Sequence, residues 1–146
     1  MTTAEHLVFE IPATPAAVDE LCAQAAAWLR GCGLATECFA AGMLLRESLN
    51  NAMLHGCGND PARHIHCEMR RGRKWLRILV EDHGPGFDWS SQYRHTAGIE
   101  ECHGRGLQIY QLYSDAVEFN RRGNRVRLRR RIPGGHAHDD RSRPEE

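Results

Sequence analysis

The residues best suited to chemistry form three short groups. In Glu47-Ser-Leu-Asn-Asn51-Ala-Met-Leu-His55, an acid, an amide and an imidazole recur every four residues within a helical pattern. That spacing stacks Glu47, Asn51 and His55 on one flank of a helix. Glu47 could orient or deprotonate a nucleophile, and the Asn51 carbonyl could ligate magnesium, a hard cation that keeps waters and takes few protein ligands. A solvated polar helix face explains this motif alone equally well. The adjacent Asn50 and Asn51, both poor helix formers, tilt the balance toward function. The second group, Asp82-His-Gly84-Pro-Gly86-Phe87, closes an apolar strand with an acceptor-only carboxylate and two glycines. Such a carboxylate, pointing inward, could accept an exocyclic amine, and the glycines let backbone approach a ligand. The third, Gly104-Arg105-Gly106-Leu107, opens a further helix. Free N–H groups and the positive dipole end there suit a phosphate, with Arg105 adding charge or pointing to solvent. An ordinary turn and a glycine hinge are the bland readings of the last two groups. Together, about thirty residues apart, the first two point to a nucleotide site.

The elements that must position these groups follow from periodicity. Residues 6–11 alternate as a short strand, and Thr14-Pro15 is an N-cap followed by proline at the first helical position. That helix runs to about Arg30, where Gly31 and Gly33 stop it. A second helix spans about Ala35 to Leu54, with Leu45, Leu49, Ala52 and Met53 as its apolar stripe and Gly56 and Gly58 at its end. Strands follow at 64–70 and 74–82. In the first, Ile65, Cys67 and Met69 share a face; in the second, Leu76, Ile78, Val80 and Asp82 do, so the aspartate points inward. Residues 87–103 have no sustained period, which in a compact domain suggests a functional connection such as a lid. A helix from Gly104 to about Tyr113 and strands near 116–120 and 125–132 complete the domain. The expected architecture is an α/β two-layer sandwich, a mixed, mostly antiparallel sheet with helices on one face. Residues 1–132 read as one domain and 133–146 as a disordered tail.

Bulk composition excludes several classes. The 146 residues carry 19 basic and 19 acidic side chains, so no global field draws the chain to nucleic acid or membrane. No apolar run is long enough to cross a bilayer, and the start lacks a secretion-signal layout, which leads us to expect a cytoplasmic location. The six cysteines form no C-x-x-C pair and read as reduced and mostly buried. There is no phosphate-binding G-x-x-x-x-G-K-[ST] loop. His64-x-His66 and the tail's His136-x-His138-Asp139 could touch a metal, but a polar strand face and adventitious binding explain them better. Cys57 lies beside the candidate site without an evident basic partner, so it reads as inert. The last strand alternates Val126, Leu128, Arg130 and Ile132 against Arg125, Arg127, Arg129 and Arg131. A solvated face is the first reading of those arginines, a basic docking surface for an acidic protein the second, and nucleic acid the third.

In order and spacing, the three groups resemble the boxes of gyrase-, histidine-kinase- and MutL-type (GHKL) ATPases, with the Bergerat ATP-binding fold. The resemblance covers about Ala35 to Ile132. Within that superfamily the chain is similar to the stand-alone anti-sigma-factor serine kinases of the RsbW and SpoIIAB kind, above all over Gly104-Arg-Gly-Leu-Gln-Ile-Tyr-Gln-Leu-Tyr-Ser-Asp-Ala-Val-Glu. The resemblance implies Glu47 as general base, Asn51 as magnesium ligand and Asp82 as adenine acceptor. It also implies that Asn51, His55, Gly84, Gly86, Phe87, Gly104, Arg105, Gly106 and Leu107 surround ATP or ADP. Two departures stand out: Asn124 and Arg125 occupy the place of a threonine that often helps hold adenine, and Cys102-His103 replaces glycines in the lid.

The function these features imply is that of an ATP- and magnesium-dependent serine/threonine protein kinase. It would phosphorylate an anti-anti-sigma (STAS-type) antagonist and hold a sigma factor or another regulator in a partner-switching pathway. A homodimer is a further implication, and neither nucleic acid nor membrane is an expected partner. The alternative is a non-catalytic module in which nucleotide sets partner choice. A histidine-kinase catalytic fragment fits poorly, because only His6 precedes the domain and it lies in a strand.

Overall fold

A computed structural model of the protein describes residues 5–83 and 102–133, with side chains in the last stretch from residue 108 onward. Strand β1 (His6–Pro12) leads into helix α1 (Pro15–Gly31). Thr14 caps that helix as the sequence predicts: its hydroxyl accepts from the Ala17 N–H at 3.1 Å, and proline occupies the first turn. A single 3₁₀ turn (Ala35–Glu37) precedes helix α2 (Cys38–Asn51), which continues as a π turn over Ala52–Gly56. Strands β2 (His64–Arg71) and β3 (Trp75–Asp82), helix α3 (Cys102–Tyr113), and strands β4 (Ala116–Phe119) and β5 (Arg125–Arg131) follow.

The five strands form one sheet in the order β1-β2-β3-β5-β4. The expected two-layer α/β architecture holds, and the mostly antiparallel sheet is antiparallel at every described pairing. Alternation assigns its two faces. Ile65, Cys67 and Met69 of β2, Leu76, Ile78 and Val80 of β3, and Val126 and Leu128 of β5 are buried beneath the helices. From the helical layer, Val18, Leu21, Ala25 and Leu29 of α1 and Leu44, Leu45 and Leu49 of α2 meet them. Core leucines of this kind cost about 2–5 kcal/mol each when cut to alanine, so this layer fixes where α2 lies over β3. Among the described residues, no helix is long and apolar enough to cross a membrane.

The second helix departs from the regular helix expected over residues 35–54. At its end the Cys57 N–H donates to the Ala52 carbonyl at 2.8 Å, an i→i+5 bond that makes the last turn wider than an α turn. Just before it, the buried Ser48 hydroxyl donates to the Leu44 carbonyl at 2.8 Å and to that of Leu45 at 3.0 Å. Such back-bonding loosens and bends helices.

The inward register of Arg130 also has a partner. Its Nε donates to the Glu37 carboxylate at 2.7 Å, and its NH1 to the Tyr113 carbonyl at 2.8 Å. Glu37 is only 5% exposed, so the pair ties the start of α2 to the far strand in a desolvated setting. The free cysteines are less buried than expected: Cys57 and Cys67 are buried, while Cys22, Cys32 and Cys38 are half-buried. Burial raises the Cys67 thiol to about 12.

Candidate active site at the α2–β3 junction

Helix α2 carries Glu47 and Asn51 toward the end of β3, where Asp82 points inward and is 5% exposed. A cleft between these elements is lined by Ser48, Asn51, Gly56, Asp82, Tyr110 and Asn124, among others. Two of the three residues taken from the helix motif therefore approach Asp82: Asn51 lines the cleft, and Glu47 sits one turn earlier, hydrogen-bonded to it. His55 does not join them. The π turn places more residues per turn, so four residues past Asn51 no longer return to the same flank. His55 is exposed and is not among the described residues lining the cleft.

Burial raises the carboxyl of Glu47 above the usual glutamate range, an effect partly opposed by a hydrogen bond from the Asn51 side chain. A half-buried carboxylate held in this way is a better proton acceptor than one in free water. Asn51 also donates from Nδ2 to the Tyr110 hydroxyl at 3.3 Å. With its amide nitrogen engaged by Glu47 and Tyr110, the group left to face a cation is the Oδ1 carbonyl. This donor chemistry fits magnesium, which takes one or two protein oxygens and completes its shell with water and phosphate. No cluster of three or more histidine, cysteine, aspartate or glutamate side chains suited to a metal occurs among the described residues. That agrees with a cation shared with phosphates rather than caged by protein.

Asp82 is held by its surroundings as much as by its own strand. Its N–H donates to the Asn124 carbonyl at 2.9 Å, and Asn124 Nδ2 donates to the Asp82 carbonyl at 2.7 Å. Asn124 is in turn fixed by Asn120. The Asn120 Oδ1 accepts from the N–H groups of Gly123, Asn124 and Arg125 at 2.9, 3.0 and 3.1 Å, and its Nδ2 donates to Asn124 Oδ1 at 2.6 Å. Asn124, flagged in the sequence only as a departure at a threonine position, is thus the buried clamp on the backbone of Asp82.

Gly56 completes the cradle. A Cβ there would lie well under 3.0 Å from the Asp82 carboxyl group, a separation real Cβ atoms do not show. The sequence reading gave Gly56 only the task of ending a helix; its contact partner lies in a strand distant in sequence, and no local signal reports it. Tyr110 was likewise missed. It is 2% exposed, its hydroxyl meets Asn51, and its ring lies 6.3 Å from that of Phe119. A helical tyrosine within an apolar pattern looks like core until its hydroxyl partner is known.

Cys57 is buried, and its thiol is pushed up by burial first and by the charge of Asp82 next. This fits the inert reading. His66 does not act as a metal ligand with His64: its Nε2 pairs with Glu68 at 2.7 Å and its Nδ1 with Glu10. Helix α3 begins at Cys102, two residues before the expected start, so Gly104, Arg105, Gly106 and Leu107 fall within its first two turns. Gly84, Gly86, Phe87, most of the 87–103 connection and residues 134–146 lie outside the described residues.

Comparison with curated proteins yields no match. The sequence model of the histidine kinase-like ATPase domain matches residues 11–130, a span running from the end of β1 through nearly all of β5. The buried aspartate in its glycine cradle and the hard-oxygen donors on α2 are what an adenine nucleotide and its cation require, and the chain belongs to the family of histidine kinase-like ATPase domains, an ATP-binding protein.

Proposed function

We propose that the chain is an ATP-dependent serine/threonine protein kinase of the anti-sigma type. It transfers the γ-phosphoryl group of ATP to a hydroxyl of an anti-anti-sigma (STAS-type) antagonist, and it alternates between that antagonist and a sigma factor or another regulator. The observation that carries this reading is Glu47. It combines a pKa raised by burial with a hydrogen bond to the candidate magnesium ligand one turn away. In this scheme Asp82 accepts the adenine amine, Asn51 contributes Oδ1 to the cation, and the N-terminal turns of α3 face the phosphates. Magnesium supplies charge neutralisation at the phosphates.

Glu47 takes the proton of the attacking hydroxyl as its oxygen bonds to the γ-phosphorus and the bond to the β-bridging oxygen breaks, releasing ADP. Phosphoryl transfer depends mainly on positioning and charge. A base on the rigid helix that also holds the metal ligand meets the first need.

The test is incubation of the full chain with γ-labelled ATP, magnesium and a STAS-type antagonist, comparing wild type with Glu47→Ala. Label on the antagonist with wild type, and its loss in the variant with ADP binding retained, supports the kinase. Nucleotide binding without any labelling, even by wild type, overturns the kinase reading in favour of the non-catalytic module.

A further inference from the structure

The sheet face turned away from the helices carries a second feature, on the opposite side of the sheet from the cleft. Register places Arg70 of β2 directly across from Arg77 of β3, and Arg77 directly across from Arg129 of β5. Neighbouring strands lie about 4.8 Å apart, so three guanidinium groups rise from adjacent positions in one row across the sheet. Like charges directly opposite one another weaken strand pairing. A solvated face needs only scattered charge, and nothing about solubility calls for this alignment.

The row borders an open concavity of about 680 Å³ that also takes in Leu79, Ala116 and Arg127. Trp75 stiffens one end: the guanidinium of Arg129 stacks over its ring at 4.3 Å and that of Arg131 at 5.6 Å. An arginine packed on an aromatic face is already ordered and loses less freedom when it meets a carboxylate. The acids of the β1–β2 edge are occupied elsewhere, Glu10 and Glu68 with His66, and Glu68 also with His6 at 3.3 Å.

We propose that this face docks an acidic segment of a partner protein, one that presents two or three carboxylates about 5–6 Å apart, the spacing of acids three or four residues apart on a helix. Charge complementarity identifies the occupant. The arginines form one short row, and Glu68 and Glu118 flank it at the next register position on β2 and β4. Those acids would repel a continuous phosphate backbone, whereas a short acidic helix covers the arginines and leaves the glutamates to its basic or neutral flanks. The net charge of zero over the whole chain removes the long-range pull that nucleic-acid binding exploits.

The test uses fluorescence anisotropy of a labelled alanine-based helical peptide with glutamates at i, i+4 and i+8, titrated with the full chain. A peptide with glutamine at those positions and a twelve-residue oligothymidylate are the comparison probes. Saturable binding of the glutamate peptide that weakens at least tenfold in R70Q/R77Q/R129Q, but stays within twofold in R30Q/R63Q, supports the proposal. The triple variant removes a row of like charges, so its melting temperature should equal or exceed that of wild type, and its ADP affinity should be unchanged. Equal affinity for the glutamine peptide, unaltered binding by the triple variant, or no saturable binding of the glutamate peptide overturns it. Tighter binding of the oligothymidylate at physiological salt overturns it too, in favour of nucleic acid.

Discussion

Replacing Gly56 with alanine adds one methyl group, and the structure places that methyl against the carboxyl group of Asp82. The three nearest atoms to a Cβ at Gly56 are all from that carboxyl group, each well under 3.0 Å. Gly56 has no positive φ, so its backbone accepts any residue and the conflict is purely steric. The carboxyl carbon is one bond from Asp82 Cβ, and the backbone behind it is clamped by Asn124. Relief therefore requires a χ1 rotation that swings the acid off its inward position, or a shift of the π turn.

Overpacking of this kind costs about 1–3 kcal/mol, while alanine in place of glycine in a helix returns about 1 kcal/mol. The expected net loss is about 1–2 kcal/mol, read as a fall of a few degrees in Tm. If Asp82 leaves its position, its charged hydrogen bond to the adenine amine is lost. That is worth about 1.5–3 kcal/mol, or roughly 10- to 100-fold in ADP affinity. Calorimetric titration with ADP and thermal denaturation read both quantities. Gly42→Ala is the control, because a Cβ in that helical position meets nothing within 4 Å; it should raise stability by about 1 kcal/mol and leave ADP binding alone. Should Gly56→Ala behave like Gly42→Ala on both measurements, the cradle around Asp82 does not exist as described.

Three further outcomes follow from the same geometry. Glu47 has a raised pKa, so its contribution to stability is present in acid and is lost as pH rises through the folded-state value. Glu47→Gln should then gain melting temperature over wild type near neutrality and lose that advantage as pH falls toward the ordinary glutamate range, which denaturation scans across pH will show. Arg130→Met leaves the buried Glu37 carboxylate without the Nε donor at 2.7 Å and should cost about 3–5 kcal/mol in urea unfolding. The double variant with Glu37→Met should recover most of it, and a double variant no better than the single would refute the coupling. Cys67, held at about 12, should resist alkylation by iodoacetamide in the native protein at pH 8 and react only on unfolding, as mass mapping of the labelled sites would reveal.

Where local chemistry decides an element, the sequence was readable. Thr14 with Pro15 marked the start of α1 because capping and proline geometry are properties of neighbouring residues. Alternation placed Ile65, Cys67, Met69 and Asp82 on the buried face, because parity along a strand survives any tertiary arrangement. Glu47, Asn51 and Asp82 were recognisable as a group for the same reason, since two come from one helix face and the third from a strand end. His55 failed because the change from i→i+4 to i→i+5 bonding leaves no mark in residue type. Gly56, Tyr110 and Asn124 were invisible as site residues because each acquires its role from a contact with a distant part of the chain. The arginine row was half legible. The alternation in β5 was plain, but its alignment with Arg70 and Arg77 depends on a pairing order that skips β4.

The wide turn at the end of α2 imposes a counting rule on the chain. One residue more than a regular helix would use is spent between Asn51 and Cys57. Removing any single residue there would restore ordinary winding and rotate everything downstream by about 100° relative to α2. Gly56 would swing away from the aspartate and a side chain would take its place. Substitutions along this stretch can be absorbed one at a time, but a one-residue deletion would dismantle the nucleotide cradle while leaving the hydrophobic pattern untouched. Length, more than residue identity, is what natural variation in this segment must preserve.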